Sequence, residues 1–247
     1  MLDQIEEMQS FIGSFIKLEN TLSETRIKED VSSIMKLFKE YAPIDEKIAI
    51  ILEKIAPEYN IFDILHIKRY ETKVHTPFLK HLLNPFESHK QNRLFFDSFM
   101  EMVLGISFIK ENVSNIEVYE EYSFSNGRID ILIFYQQNRK RNCLVIENKI
   151  DHKDEEKQLE RYYEFLINEC KLEYVNFHLV YLKPFKSSPS STSISIELYK
   201  KLKLNHCITE LGYHENIQYW IESLIHEVKA PVVYQTLYQY LKTIKSL

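Results

Sequence analysis

Asp130 in RIDILIFY, and Glu147 and Lys149 in CLVIENKI, are ionisable residues in stretches otherwise apolar and β-branched. Strands of that composition seldom admit charge without a use for it. Period-two alternation puts Glu147 and Lys149 on one strand face. The turn between the two strands falls in QQNRKR, and an even-length loop centred on Asn138 and Arg139 pairs residues whose numbers sum to 277, which sets Asp130 opposite Glu147. Cβ atoms so paired lie about 5 Å apart, and two carboxylates at that distance repel unless a cation sits between them. Asp130, Glu147, the backbone carbonyl of Asn148 and several waters would suit Mg²⁺, which takes hard oxygen ligands and keeps part of its hydration shell; Mn²⁺ would substitute. Lys149 would hold or help deprotonate an attacking water and offset charge developing on a phosphate. Together these residues outline a site for phosphodiester hydrolysis.

The spacing alone carries little weight, because [DE]xK occurs seven times, beginning at Asp45, Glu71, Glu147, Asp151, Glu155, Glu169 and Glu227. Only the copy at Glu147 lies in a strand-like run, and an ordinary cross-strand ion cluster explains the same three residues. Gln158 and Tyr162 follow four apart and share a helix face. There they would orient substrate or water, although Tyr162 equally fits the apolar stripe of its helix.

The elements that must position these groups fall into three stretches. Up to about Leu104 the apolar residues recur at helical spacing, which predicts helices near 3–18, 23–41, 44–56, 74–83 and 92–104, with Pro43, Pro57 and Pro85 at boundaries. IEVYEEYSF, RIDILIFY and NCLVIENKI then read as three strands. DEEKQLERYYEFLINEC follows as an amphipathic helix and NFHLVYLKP as a fourth strand. That order predicts an α/β core in which the helix joins parallel strands. KSSPSSTS at 186–193 has the composition of a mobile surface loop. The tail from about His214 predicts two C-terminal helices.

The 247 residues are 45% hydrophobic and 27% charged, enough for one sizeable core and unlike a disordered chain. A net charge of −5 offers no global field for a polyanion. Four glycines in all, with neither GxGxxG nor GxxxxGK[ST], exclude the usual phosphate-cradling loops. Cys143, Cys170 and Cys207 are odd in number and lack CxxC spacing, as expected of reduced thiols in the cytoplasm. The acidic N-terminus and the absence of a long apolar run argue against export or membrane spanning. His66, His75, His81 and His89 lack the HxxxH pair of a helical zinc site.

GRIDILIFYQQNRKRNCLVIENKIDHKDEEKQLERYYEFL resembles the central block of the PD-(D/E)XK nuclease superfamily, with Asp130 as the motif aspartate, Glu147 and Lys149 as the ExK and Gln158 and Tyr162 as a trailing QxxxY. Upstream, YETKVHTPFLKHLLNP is similar to a conserved helix of one bacterial group, with Glu71, His75 and Thr76 at its motif positions. YHENIQYWIESLIHEVKAPVVYQTLYQYLKTI is similar to that group's ending, with Trp220 and Gln239-Tyr240. The resemblance covers roughly residues 60–245. Ile129 stands where the superfamily's name places a proline.

The resemblance implies a restriction-endonuclease-like fold, a central mixed β-sheet flanked by helices, here with a helical N-terminal extension over 1–60 and a nuclease-like domain over 61–247. It implies metal-dependent phosphodiester hydrolysis with Asp130 and Glu147 on the metal, Lys149 on the nucleophilic water, Glu71 as a water-mediated or second metal contact and Gln158 orienting substrate. DNA is the first expectation and RNA stays open; defence or restriction follows by analogy alone. Arg128, Tyr162, His75, Lys73 and Arg93 are the candidate substrate contacts, since phosphate binding needs cations beside an acidic site. Arg139-Lys140-Arg141, at the hairpin tip, reads as solvated turn charge. A catalytically silent module of the same fold is the competing reading, and the N-terminal helices would serve a homodimer or a partner protein.

Overall fold

Short runs rich in β-branched and aromatic residues after residue 112 build a five-stranded mixed sheet whose central strands are buried along most of their length. Its strands are β1 (Val113–Phe124), β2 (Gly127–Gln137), β3 (Lys140–Asn148), β4 (Phe177–Lys183) and β5 (Ile208–Gly212), ordered β1-β2-β3-β4-β5. β1, β2 and β3 form an antiparallel meander, while β4 and β5 run parallel to β3. The β2–β3 hairpin closes through Asn138 and Arg139, both at positive φ (52° and 65°), the two-residue turn whose twist matches its strands. The pairs from Gln137↔Lys140 to Ile131↔Ile146 follow the expected register, and its continuation sets Asp130 beside Glu147.

The computed structural model describes residues 2–106 and 110–247, and the chain divides into two compact units, Met1–Tyr59 and Asn60–Leu247. The first is one helix, α1 (Leu2–Ile55), with Pro43 inside it. The expected breaks near residues 20 and 43 are therefore absent. Pro43 removes one rung of the hydrogen-bond ladder, and the helix continues on both sides of it.

In the second unit the sheet is covered on both faces. On one, α3 (Thr76–Leu83), α4 (Leu94–Ser98), α7 (Gln218–Leu224) and α8 (Pro231–Ile244) pack on Ile131, Ile133, Leu144, Ile146 and Val180 around the fully buried Trp220. The short α2 (Ile61–Ile64) joins this layer through Phe62. On the other face, α5 (Gln158–Glu164) and α6 (Ile196–Leu204) cover Leu132, Phe134, Val145, Leu179 and Ile208. The sequence reading missed α6 and β5; each is short, and β5, ITELG, carries a charge in its middle.

The expected mobile loop at 186–193 is tied down instead. Lys157, the residue at the start of α5, gives no side-chain cap, so the carbonyls of Thr192 and Ser193 accept the Lys157 and Leu159 N–H groups at 2.7 and 3.1 Å, with Ser193 Oγ 3.4 Å from the Leu159 nitrogen, and Ser193 is fully buried. The loop does for the helix what a capping residue would have done.

Candidate active site

Alternation along the last residues of β3 sends consecutive side chains to opposite faces, and each is held there. Glu147 points to the α5 side, fully buried, with Oε2 receiving the Tyr162 hydroxyl at 2.7 Å and Oε1 2.6 Å from the Lys149 ammonium. Asn148 points the other way: its amide donates to Thr76 Oγ1 at 3.0 Å and its Oδ1 accepts from the Tyr213 hydroxyl at 3.0 Å. With the side chain held by Thr76 of α3 and by Tyr213, just before α7, the Asn148 backbone N–H is aimed at Asp130 Oδ2, 2.8 Å away. Lys149 N–H in turn donates to Leu182 of β4 at 2.8 Å, which extends the pairing past the strand's end.

Gln158 and Tyr162 are one turn apart on α5. Gln158 Nε2 donates to the Tyr162 oxygen at 3.1 Å, so the amide fixes the phenol and the phenol fixes Glu147. Glu71 enters from a wide π-type turn, Glu71–His75, immediately before α3. Such turns are frequent at functional sites. The helix predicted from residue 74 therefore begins a turn earlier than its apolar spacing indicated. Glu71 Oε2 accepts the Ile150 N–H at 2.6 Å and Oε1 lies 3.1 Å from His152 Nδ1. It thus anchors the chain directly after Lys149.

Glu71, Asp130, Lys149 and Gln158 face an open cleft of about 550 Å³ that is lined also by Arg128, His152, Lys153 and Glu155. Burial pushes the Asp130 carboxyl up to about 8, with Glu147 adding to the effect and the Asn148 N–H opposing it. Burial also raises Glu147, against the pull of Lys149 and Tyr162. For Lys149 burial acts downward, but Glu147, Asp130 and Glu71 together outweigh it and keep the group an ammonium. Glu147 raises Asp130 and Glu71 raises Glu147, so carboxylates gathered around one ammonium have room for further positive charge.

Among the described residues no group of three or more His, Cys, Asp and Glu side chains is arranged to hold a metal. Mg²⁺ needs no such cage, since one or two carboxylates and water suffice for it. Asp130 and Glu147 meet that requirement with hard oxygen donors, and the charge of Glu147, which pushes the Asp130 carboxyl up, is the observation that fits a divalent cation.

Several expected substrate contacts lie elsewhere. His75 is fully buried, with Nε2 2.8 Å from the Lys68 carbonyl and Nδ1 2.9 Å from the Tyr240 hydroxyl, and burial lowers it to about 4. Tyr162 is equally buried, its hydroxyl 2.7 Å from both Glu147 Oε2 and the Arg128 carbonyl. Arg93 is spent on Asp97, at 2.7 Å, and on the carbonyls of Lys110 and Val113. Lys73 is exposed on the turn beside Glu71 but does not line the cleft. Arg69 is bound to Asp151, and Arg128, which does line the cleft, is paired with Glu121. The sequence reading missed His152 and Lys153; their only signal was a position three and four residues beyond Lys149.

A mixed sheet between helical layers, with two carboxylates and a lysine at the ends of β2 and β3, is an arrangement typical of metal-dependent nucleases. The chain belongs to the PD-(D/E)XK nuclease superfamily, whose family model matches residues 59–242. Most members of that superfamily are phosphodiesterase nucleases. No curated protein and no solved structure matches it. No described helix is long and apolar enough to cross a membrane.

Proposed function

We propose that this protein is a Mg²⁺-dependent nuclease that hydrolyses phosphodiester bonds in DNA. The observation that carries the reading is the convergence of Asp130, Glu147 and Lys149 at one end of the β2–β3 pair, with Asp130 and Lys149 on the wall of a cleft that Arg128, His152 and Lys153 also line. Asp130, Glu147 and the Asn148 carbonyl would hold the metal, with Mn²⁺ as a substitute. A divalent ion held there supplies Lewis-acid charge to the phosphate and acidifies water.

The protein's own groups then divide the remaining work. Lys149, an ammonium, donates hydrogen bonds to the entering water and the phosphate oxygens and offsets charge gathering on phosphorus. The water oxygen forms the new bond to phosphorus, the bond to the leaving sugar oxygen breaks with its electron pair going to that oxygen, the water's proton passes to solvent, and the sugar oxygen takes a proton from solvent. Tyr162 and Gln158 keep Glu147 in one orientation, and Glu71 keeps the backbone after Lys149 from drifting. Arg128, His152 and Lys153 are placed to meet flanking phosphates. By analogy with the family, restriction or antiviral defence is the setting we assign, in the cytoplasm.

The test is cleavage of supercoiled, linear and single-stranded DNA, and of RNA, by the wild type, Lys149→Ala and Asp130→Ala, with Mg²⁺, with Mn²⁺ and with chelator. Metal-dependent cleavage that both substitutions abolish is the expected result. Binding without cleavage by a folded wild type would make the chain a silent module of the same fold, and cutting confined to RNA would reassign the substrate.

A further inference from the structure

α1 is 54 residues long, about 81 Å at helical rise. Over residues 31–55 its apolar side chains keep a 3-4 spacing: Val31, Ile34, Tyr41, Ile48, Leu52 and Ile55 occupy the two seam positions of successive heptads, and each is about half exposed. Met35, Leu37, Ile44 and Ile51 flank that seam on both sides and are exposed as well. The polar residues Lys36, Lys39, Glu40, Glu46, Lys47 and Glu53 fall on the remaining face, as does Pro43. The ladder rung that proline removes therefore lies away from the apolar side, where a bend curves the helix toward a partner.

We infer that this face binds a second copy of the same chain, so that α1 is a self-association helix. The flanking seam positions are where charges normally choose a partner. Here they are apolar, and like meets like with no repulsion. Residues 31–55 carry four lysines against four carboxylates, a zero balance in a chain of net charge −5, so the contacting face adds no repulsion of its own. Asp45 is the charged residue within the seam, and an antiparallel pair keeps the two copies of it apart. Covering the ten apolar side chains removes on the order of 1,000 Å² per copy, above the roughly 800 Å² per partner of a stable interface. One cleft hydrolyses one strand at a time; an assembly of two would carry a cleft for each strand of a duplex. That consequence rests on the nuclease reading, whereas self-association does not.

The test is the mass of the full-length protein by light scattering over a dilution series, read without any substrate. The wild type is expected at twice the 29.6 kDa of the chain, or a higher whole multiple, falling toward 29.6 kDa on dilution. Ile34→Lys with Ile48→Lys is expected to give 29.6 kDa undiluted, while Ile50→Lys, the same change on the outer face, leaves the wild-type mass. Circular dichroism and the fluorescence of Trp220 check that both variants fold. A wild type that is monomeric at every concentration overturns the inference, and the stripe then serves a different protein or the chain's own second unit. Equal dissociation of the outer-face variant overturns it too. A catalytically inert chain that still associates would refute only the nuclease reading.

Discussion

The sharpest consequence of the site is a stability that falls as pH rises, in metal-free protein. Folded Asp130 keeps its proton to about 8, whereas in the unfolded chain it ionises near 3.8. Between those values the folded state binds more protons, so raising the pH favours unfolding. Buried His75 and His178, both lowered to about 4, and His89, also lowered, act in the opposite sense up to about pH 6.5, because unfolded histidines take protons that the buried ones refuse. The decline due to Asp130 is therefore expected between about pH 6.5 and 8, and that span is worth about 2 kcal/mol. For a folding unit of this size it lowers the midpoint by about 4–8 °C. Trp220, the sole tryptophan, is fully buried in the second unit, so its fluorescence follows that unit alone. Thermal melts with chelator should show the decline in the wild type and lose it in Asp130→Asn. Mg²⁺ at a hundredfold excess over its dissociation constant should restore about 2.7 kcal/mol at pH 8, and only with Asp130 present. A wild-type midpoint flat from pH 6.5 to 8, or an equal slope in Asp130→Asn, would refute the argument that Asp130 is held desolvated against Glu147.

Other substitutions separate positioning from structure. Tyr162→Phe removes a hydroxyl bound to a buried carboxylate and strands the Gln158 amide, which should cost about 2–4 kcal/mol in guanidinium unfolding. It should also lower cleavage about tenfold, more through kcat than through KM. Arg93→Ala leaves Asp97 unpaired at the base of α4 and should cost about 3 kcal/mol while leaving cleavage per folded molecule unchanged. Joint replacement of Arg139 and Arg141 by alanine should leave cleavage unchanged, since the hairpin tip lies about eight residues, roughly 27 Å, along the strands from Asp130, and should cost about 0.5–1 kcal/mol of stability because the Arg141 guanidinium stacks 3.9 Å over the Phe134 ring.

Local chemistry made part of this protein legible in advance. The hairpin register follows from a two-residue turn, because strand alternation then determines which residues face one another, and so the pairs from Gln137↔Lys140 to Ile131↔Ile146 could be set from sequence alone. Gln158 and Tyr162 could be placed on one helix face by their spacing, and the parallel β3–β4 crossover by its intervening helix. Tertiary packing decided the rest. His75 and Arg93 are cations by type, but whether a cation meets solvent or a buried partner depends on segments distant in sequence: Tyr240 in one case, Asp97 with the carbonyls ahead of β1 in the other. Glu71 reaches the end of β3 through a wide turn that hydrophobic spacing does not encode, and the serine-rich loop is ordered by a helix end in need of carbonyls. Pro43 is the opposite lesson: a residue with a strong local rule was overridden by the long helix on either side of it. Spacing along the chain specifies which face a side chain takes, and only the folded arrangement specifies what that face meets.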